Sequence, residues 1–423
     1  MRKPSICAFA AAWVVLIAGA EAPAADVKLP QYRIVESLLV RFDADGDSVL
    51  DAAERKKLQQ HVAERFKEQG TEILDLVLAA ADVDRDGKIT KAEWQALGKR
   101  VAAAAGKKAA AGRNLSVMVP MSDGVRLATD VYLPDGEGPW PAVLSRTPYT
   151  KGRAAARGFT RRGYAVVAQD MRGRFASEGE NLPFIGCGWV DHQDGADTIA
   201  WIRRQGWCNG KVATTGGSAL GITQNLMAPT APEGLRAQYI VVAAGSMYHH
   251  AAYVGGALRK SQVEGWLRGN RFDANATRMF AEHPAYDEFW QGFDAVRECA
   301  RITAPAMHVG GWFDTFSAGT VAAFVSRQHK GGQGARGRQK LVMGPWAHGI
   351  SVFGKVGELR FPKAGAPAKY NAASWFDHHL KGEESGVKDL PAVAYYVMGD
   401  TSDRRAPGNE WRFADDWPVP HVP

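Results

Sequence analysis

From Leu115 onward, short apolar runs alternate with segments of helical spacing. Leu115–Val119 and Val125–Tyr132 read as an antiparallel starting pair joined at Ser122-Asp123-Gly124. Pro141–Ser145, Tyr164–Gln169, Val212–Thr215, Tyr239–Ala244, Ala306–Gly310 and Lys340–Gly344 are compact and β-rich. Asp191–Arg204 and the run through Met227 have helical periodicity. Buried continuous strands separated by helices predict an α/β fold with a mainly parallel sheet covered on both faces. Residues 246–300 break the rhythm. Trp266, Phe272, Phe280, Tyr286, Phe289 and Trp290 are mixed there with charges, as expected of a helical insertion. Most of its apolar positions belong to a core, and some can line a substrate pocket.

Residues 30–100 carry a different, duplicated pattern. Ile34, Val35, Leu38, Leu39 and Phe42 share one helical face, and Ile73, Leu74, Val77 and Leu78 share another. Each face leads into an acidic loop, Asp43–Glu54 and Asp82–Glu93. Both loops resemble the EF-hand calcium loop. The ligand positions are Asp43, Asp45, Asp47, Val49 (by its carbonyl), Asp51 and Glu54 in the first. In the second they are Asp82, Asp84, Asp86, Lys88 (by its carbonyl), Thr90 and Glu93. Ca²⁺ takes six to eight oxygens, and this spacing wraps them round one point. Leu50 and Ile89 would join the loops through a short β-contact. The first loop has Ser48 where the turn favours glycine, at a cost of roughly 1–2 kcal/mol, so its site is expected to be the weaker. An acidic hairpin without calcium is the alternative. Residues 25–104 are thus expected to be an all-α EF-hand pair with a structural calcium role. The Ala-, Gly- and Lys-rich stretch 105–113 reads as a linker.

The chain has 423 residues, 46% of them hydrophobic and 23% charged, which suits more than one globular unit. Its formal charge of +7 is not gathered into a Lys/Arg stripe with interleaved aromatics, so a nucleic-acid partner is not expected. Arg2 and Lys3 precede the apolar stretch Ile6–Ala18, followed by small-residue cleavage sites at Ala18-Gly19-Ala20 and Ala22-Pro23-Ala24. Residues 1–24 therefore read as a signal peptide, with an uncleaved anchor as the alternative. The mature chain would be periplasmic or extracellular, with no membrane partner after cleavage. Three cysteines remain: Cys187, Cys208 and Cys299. Cys187 and Cys208 flank one predicted helix and are the candidate disulfide, against buried free thiols. No Cys/His spacing suggests zinc.

The segment Thr215-Gly216-Gly217-Ser218-Ala219-Leu220-Gly221 places a serine between a strand and a helix with small residues around it. A nucleophile elbow needs this, because the turn is tight and bulky neighbours would clash. Gly310-Gly311-Trp312-Phe313-Asp314 and Gly344-Pro345-Trp346-Ala347-His348 each follow a predicted strand. A serine hydroxyl needs a base, and the base needs an orienting acid. Ser218, Asp314 and His348 occur in the order Ser, Asp, His, each past a strand end, where a parallel sheet lets distant residues converge.

Arg146-Thr147-Pro148-Tyr149-Thr150-Lys151, Gln169-Asp170-Met171-Arg172-Gly173-Arg174, Asp194-Gly195-Ala196-Asp197 and Trp207-Cys208-Asn209-Gly210 accompany these segments. Together they resemble the cocaine esterase / X-Pro dipeptidyl-peptidase superfamily of serine hydrolases across residues 115–400. The resemblance implies an α/β-hydrolase fold with a helical cap at about 246–300, in a catalytic domain spanning 114–385. It implies Ser218 as nucleophile, His348 as general base and acid, and Asp314 as its orienting partner. The oxyanion donors would be the Tyr149 hydroxyl and the Ala219 backbone N–H. The family usually has an aromatic where Ala219 stands, which keeps the donor and changes the pocket wall. Family members continue into a jelly-roll β-sandwich. Pro391–Gly399 and Glu410–Trp417 would be its first strands, so 386–423 is expected to be a truncated or reduced C-terminal β domain.

Arg172 and Arg174 are expected to hold a loop together. His249-His250 and His378-His379 are expected to be structural, because adjacent histidines point different ways. The expected function is hydrolysis of a small-molecule ester, an amide or a short peptide through an acyl-enzyme, with no cofactor for the chemistry. X-Pro peptides, α-amino acid esters and simple esters compete as substrates. The first two need a carboxylate for the substrate amine, with Glu264, Asp273, Glu282, Asp287 and Glu288 as candidates. The alternative is a calcium-binding interaction protein with an inactive hydrolase fold.

Overall fold

The computed structural model describes residues 49–51, several of 53–96, and nearly all of 114–419. The expected signal segment (1–24), the expected helices before the acidic loops, Asp43, Asp45, Asp47 and the expected 105–113 linker fall outside the described residues. The chain divides into two compact units, Met1–Ala111 and Gly112–Pro423. Among the described residues, no helix is long and apolar enough to cross a membrane.

In the first unit, Val49–Leu50 pairs antiparallel with Ile89–Thr90, and Leu50 stands opposite Ile89. This is the contact expected of two facing acidic loops.

The second unit is built on one ten-stranded sheet. Its strands are β1 (Asn114–Pro120), β2 (Arg126–Tyr132), β3 (Trp140–Thr147), β4 (Ala165–Asp170) and β5 (Cys208–Gly217). They continue as β6 (Leu235–Val241), β7 (Ala306–Gly311), β8 (Lys340–Gly344), β9 (Val393–Val397) and β10 (Glu410–Ala414). The spatial order is β10-β9-β8-β7-β6-β5-β3-β4-β2-β1. β4, β3 and β5 through β9 run parallel; β1–β2, β2–β4 and β9–β10 are antiparallel. All six residues of β4 and of β7 are buried, as strands covered on both faces must be. Helices α1 (Ala156–Thr160), α2 (Asp194–Arg203) and α3 (Ala219–Met227) belong to the first half of the sheet.

The last two strands depart from the sequence expectation. β9 and β10 do not begin a separate jelly roll; they extend the main sheet. β9 pairs in parallel with β8, and β10 closes antiparallel on β9. The reason is apolar content: Val393, Ala394 and Tyr396 are buried, and they cover Leu341 and Met343 of β8 and Trp411 of β10. The catalytic unit therefore runs past residue 385.

The insertion contains α4 (Lys260–Gly269), α5 (Asn275–Ala281) and α6 (Glu288–Gln291). α4 buries Val263 and Leu267 one turn apart, the helical spacing of a one-faced contact. Phe280 and Trp290 pack inside it with ring centroids 5.2 Å apart and planes tilted by 35°. Asp294 clasps its ends, accepting from Ser246 Oγ at 3.0 Å and from Tyr286 Oη at 2.9 Å.

Cys187, Cys208 and Cys299 are free and buried, so the candidate Cys187–Cys208 bond is absent. Cys187 packs with Phe184 and Met247 under the cap, whereas Cys208 opens β5 among Trp140 and Trp207 in a different cluster. Burial, outweighing the nearby Arg146 and Arg172 charges, pushes the Cys187 thiol up to about 11, away from the reactive thiolate.

Arg172 and Arg174 are structural, as expected. Arg172 makes a bidentate pair with Asp194 (3.1 and 2.6 Å) and reaches Asp123 at 2.7 Å. Arg146 meets the same buried Asp194 at 3.4 Å. Removing that carboxylate takes the shared charged partner from two buried guanidinium groups, leaving Arg172 with Asp123 and Arg146 with the neutral Gln169 amide. Asp194→Ala is expected to cost about 3–5 kcal/mol. Chemical unfolding should show this as a lower midpoint at unchanged slope, and a midpoint unaltered by the substitution would contradict the role given to Asp194.

Candidate active site

Four strand ends on one edge of the sheet supply the site. Tyr149 follows β3, Ser218 follows β5, Asp314 follows β7 and His348 follows β8. Parallel strands put all four C-terminal ends on the same side.

Ser218 has φ 57° and ψ −127°, a left-handed conformation that costs a non-glycine residue of order 1–3 kcal/mol. The surroundings hold it there. Its N–H donates to the Val241 carbonyl at 2.9 Å, and its carbonyl accepts from the Gly221 N–H at 2.8 Å. The glycines are required by space. A Cβ on Gly216, which has φ +148°, would lie 2.5 Å from Leu220 Cβ. One on Gly221 would lie 2.6 Å from Ala243 Cβ. Gln224 of α3 stitches the turn from below. Its Nε2 donates to the Gly216 carbonyl at 3.1 Å, while its Oε1 accepts from Thr214 Oγ1 at 2.8 Å.

The other side chains converge on this serine. His348 Nε2 lies 2.8 Å from Ser218 Oγ, and His348 Nδ1 lies 2.6 Å from Asp314 Oδ1. The Asp314 side chain is fully buried, while that of His348 is 43% exposed. A buried acceptor on Nδ1 holds the ring in the tautomer that leaves Nε2 as a base. The loops bearing acid and base are tied to each other. Trp312 N–H donates to the Gly344 carbonyl at 2.9 Å and Phe313 N–H to the Trp346 carbonyl at 3.0 Å. Trp346 is buried and anchored through Nε1 to the Ala364 carbonyl at 2.8 Å.

Ala219 is the first residue of α3, where backbone N–H groups have no partner within the helix. Tyr149 stands on the loop after β3, held from one side by Arg174 Nε on the Pro148 carbonyl at 3.0 Å. Trp266 of the cap donates from Nε1 to the Tyr149 oxygen at 2.9 Å and stacks on Phe184 at 5.6 Å, with the rings 3° from parallel. The phenol thus accepts from Trp266 and keeps its own proton to donate. In the sequence Trp266 stood out only as one of several cap aromatics, and nothing there tied it to Tyr149.

Ser218 and His348 open onto a cavity of about 280 Å³. Its walls are Phe184, Ile222, Met247, Val263, Trp266, Phe280 and Phe316, with alanines between them. Gln262 and Thr315 form its polar corner. Among the described residues, no carboxylate lines it. The five candidate carboxylates point elsewhere. Glu264 lies between Lys260 and Arg268 (3.8 and 3.4 Å), and Glu282 pairs with Arg278 at 3.5 Å. Asp287 pairs with His283 at 2.6 Å and Asp273 accepts from Asn181 at 3.3 Å. Neither these four nor Glu288 is among the lining residues.

The histidine pairs are structural. Burial lowers the pKa of His250, whose Nδ1 accepts from the Ser246 N–H at 3.3 Å. Burial takes His379 down to about 3, with its ring 4.2 Å from that of Trp375. Among the described residues, the one carboxylate cluster suited to a metal is Asp82, Asp84 and Asp86, with ligand atoms within 4.8 Å of one another. Gly87 has φ +82° at the sharp turn, and Asp86 Oδ1 accepts from the Lys88 N–H at 2.7 Å. Thr90 and Glu93 bond reciprocally, Thr90 N–H to Glu93 Oε2 at 2.9 Å and Glu93 N–H to Thr90 Oγ1 at 3.2 Å. Asp51 and Glu54 repeat this arrangement in the first loop at 2.8 and 3.1 Å. All-oxygen donors on such a frame fit Ca²⁺.

Comparison with known proteins places this geometry. Residues 123–277 and 267–350, together more than half of the chain, match the family described as X-Pro dipeptidyl-peptidase (S15 family). The chain belongs to that family. Residues 74–97 match the EF hand. Cocaine esterase from Rhodococcus sp. (strain MB1 Bresler) is 33% identical over 72% of this chain and 60% of its own length. An aminopeptidase from a marine sediment archaeon, Thaumarchaeota archaeon, superposes with TM-score 0.58 at 27% identity, over 74% of this chain and 60% of that one. An α-amino acid ester hydrolase does so with TM-score 0.57 at 26% identity, over 73% and 59%. The chain spans about 60% of the length of the curated relatives it matches.

The Trp266–Tyr149 contact is testable. Tyr149→Phe is expected to lower kcat about 10²-fold, the usual effect of losing one oxyanion donor. Trp266→Phe keeps the stack but loses the N–H, and kcat should fall several-fold with KM little changed. A Trp266→Phe enzyme whose loss lies wholly in KM would make the indole a pocket wall only.

Proposed function

We propose that the chain is an exported serine hydrolase that cleaves esters of uncharged, apolar acyl groups through an acyl-enzyme. The observation that carries the proposal is the Ser218–His348–Asp314 chain of 2.8 and 2.6 Å contacts facing a cavity with no carboxylate. Ser218 Oγ attacks the ester carbonyl as its proton passes to His348 Nε2. The tetrahedral oxyanion takes hydrogen bonds from the Tyr149 hydroxyl and the Ala219 N–H. Collapse breaks the bond to the alcohol, which leaves with the proton from His348. Water then attacks the acyl-enzyme with His348 as base, releasing the acid and restoring Ser218. Asp314 orients the imidazole and stabilises its cation.

The acyl preference follows from the cost of burial. An ammonium group placed in an apolar pocket without a partner carboxylate loses hydration that nothing replaces. That disfavours the amino-terminal peptides and α-amino esters that related proteins are named for, and favours alkyl or aryl acyl groups. A fluorophosphonate probe is expected to label the wild-type chain and to fail on Ser218→Ala. p-Nitrophenyl butyrate or benzoate is expected to exceed alanyl and X-Pro p-nitroanilides by at least about 10²-fold in kcat/KM. Equal labelling of Ser218→Ala would sink the nucleophile assignment and return the inactive-fold reading; a preference for the free-amine substrates would sink the acyl one.

For the first unit we propose that Asp82, Asp84, Asp86, the Lys88 carbonyl, Thr90 and Glu93 bind Ca²⁺, which stabilises that unit and leaves the chemistry alone. The first loop, through Asp43, Asp45, Asp47, the Val49 carbonyl, Asp51 and Glu54, would hold a weaker second ion. At a hundredfold excess over Kd, a bound ion adds about 2.7 kcal/mol to folding. Calorimetry of the full chain should therefore show one unfolding transition moving up in calcium relative to EDTA, with ester turnover unchanged. A melt indifferent to both, together with no heat on titrating calcium, would end this proposal.

A further inference from the structure

The acyl pocket is apolar except where Gln262 and Thr315 meet. Gln262 lies on α4, one helical turn before Trp266, and Thr315 directly follows Asp314. Thr315 Oγ1 donates to Gln262 Oε1 at 2.9 Å. Arg259 stands beside Thr315. Its Nη2 donates to Thr315 Oγ1, and its Nη1 donates to the Thr315 carbonyl at 3.3 Å. A guanidinium can only donate. The threonine oxygen accepts from it and donates its own proton to the glutamine carbonyl, an arrangement that sets Oε1 on Thr315 and turns the two Nε2–H donors elsewhere. Among the described residues, Nε2 has no acceptor. Gln262 is half-buried, so water can take these donors until an acyl group covers them, and a purely hydrocarbon group would then leave them unpaired at a cost in free energy.

We propose that Gln262 is a specificity-determining residue whose Nε2 donates to an oxygen on the substrate's acyl group. The preferred substrates are then esters of uncharged acyl groups bearing an ether, keto or second ester oxygen, in place of plain hydrocarbon acids. This rests on the ester-hydrolase reading of Ser218 above. A donor on the substrate would find the acceptors at this corner, Gln262 Oε1 and the Thr315 oxygens, already engaged. A carboxylate is the competing ligand, because the Arg259 contacts go to the neutral Thr315 oxygens and leave its charge uncompensated by any ion pair among the described residues; the succinyl ester tests it. Thr315 is a positioning residue that sets the amide's direction.

The test compares p-nitrophenyl hexanoate with its 3-oxa, 4-oxa and 5-oxa isosteres and with the p-nitrophenyl ester of succinic acid. The readout is the ratio of kcat/KM for oxa ester over hexanoate in the wild type, divided by the same ratio in Gln262→Leu. This double ratio cancels the differing chemical reactivity of the esters. It is expected to reach about 3–10-fold at one or more oxygen positions, the size of one neutral hydrogen bond. Thr315→Val, which frees the amide to turn, should move the ratio the same way by less. A double ratio near one at every position in both variants overturns the proposal. So does a wild-type preference for the succinyl ester over all the oxa esters. Fluorophosphonate labelling and the p-nitrophenol burst from hexanoate are measured first on each protein. Their absence in the wild type sinks the hydrolase reading and this one with it. A labelled, bursting enzyme with a flat double ratio sinks this one alone.

Discussion

The site depends on one strained residue. Ser218 is held at φ 57°, where a side chain belongs poorly, and the rest of the catalytic unit is arranged so that it stays there. Parallel pairing of β5 with β6 presents the Val241 carbonyl to the Ser218 N–H. The helix that follows must leave the turn at once, which Gly216 and Gly221 permit and any side chain there would block. Gln224 then ties the turn back to the strand it came from. Its partners continue the chain inward. Gln238 Nε2 donates to the Gln224 carbonyl at 3.0 Å, and buried Arg327 donates to Gln238 at 2.8 Å and Asn225 at 2.7 Å. An arginine pinned by two amides, in a core that could have been apolar, costs desolvation. Its return is geometric, because it locks α3, which begins at the nucleophile, to β6 and to Ser317–Lys330, the helix behind the Asp314 loop.

Much of this was legible in the sequence because parallel sheets are written in short, wholly apolar runs. The elbow, the two loops ending in Asp314 and His348, and Tyr149 after its strand could all be placed by local pattern. What local pattern cannot carry is which strands neighbour which. Pro391–Gly399 and Glu410–Trp417 were equally good strands for a separate sandwich or for the sheet edge; only the open edge of β8 decides, and that edge is a property of the assembled sheet. The Cys187–Cys208 pair failed for a related reason. Two residues flanking one helix are near in sequence, yet their side chains enter different clusters.

The cap teaches the same lesson in reverse. Its aromatics were visible as a group, but their division of labour was not. Phe280 and Trp290 build a core, whereas Trp266 reaches across to the Tyr149 hydroxyl. The five acidic residues were plausible amine ligands while only their presence was known. With positions assigned, Glu264 and Glu282 have basic partners on their own helices and Asp287 a histidine one turn away. Charges spent on i,i+4 neighbours at a helix surface are solvated and local.

That leaves the pocket's character to decide the substrate, and Ala219 matters most there. A bulky aromatic at this position would stand beside the nucleophile. Alanine keeps the backbone donor at the head of α3 and gives the space to the cavity. The freed volume is bounded by Ile222 one turn along the same helix and by Phe316 beside His348. The acyl group proposed to lie in it would meet hydrocarbon on nearly every side, and hydrophobic transfer at roughly 25 cal/mol per Å² would supply its binding. Binding of that kind is weak in direction. On the reading proposed above, orientation comes from the few polar groups present, which are the proposed oxyanion donors at the reacting end and the Gln262 amide within the pocket. A site so built would separate substrates by where their oxygens lie.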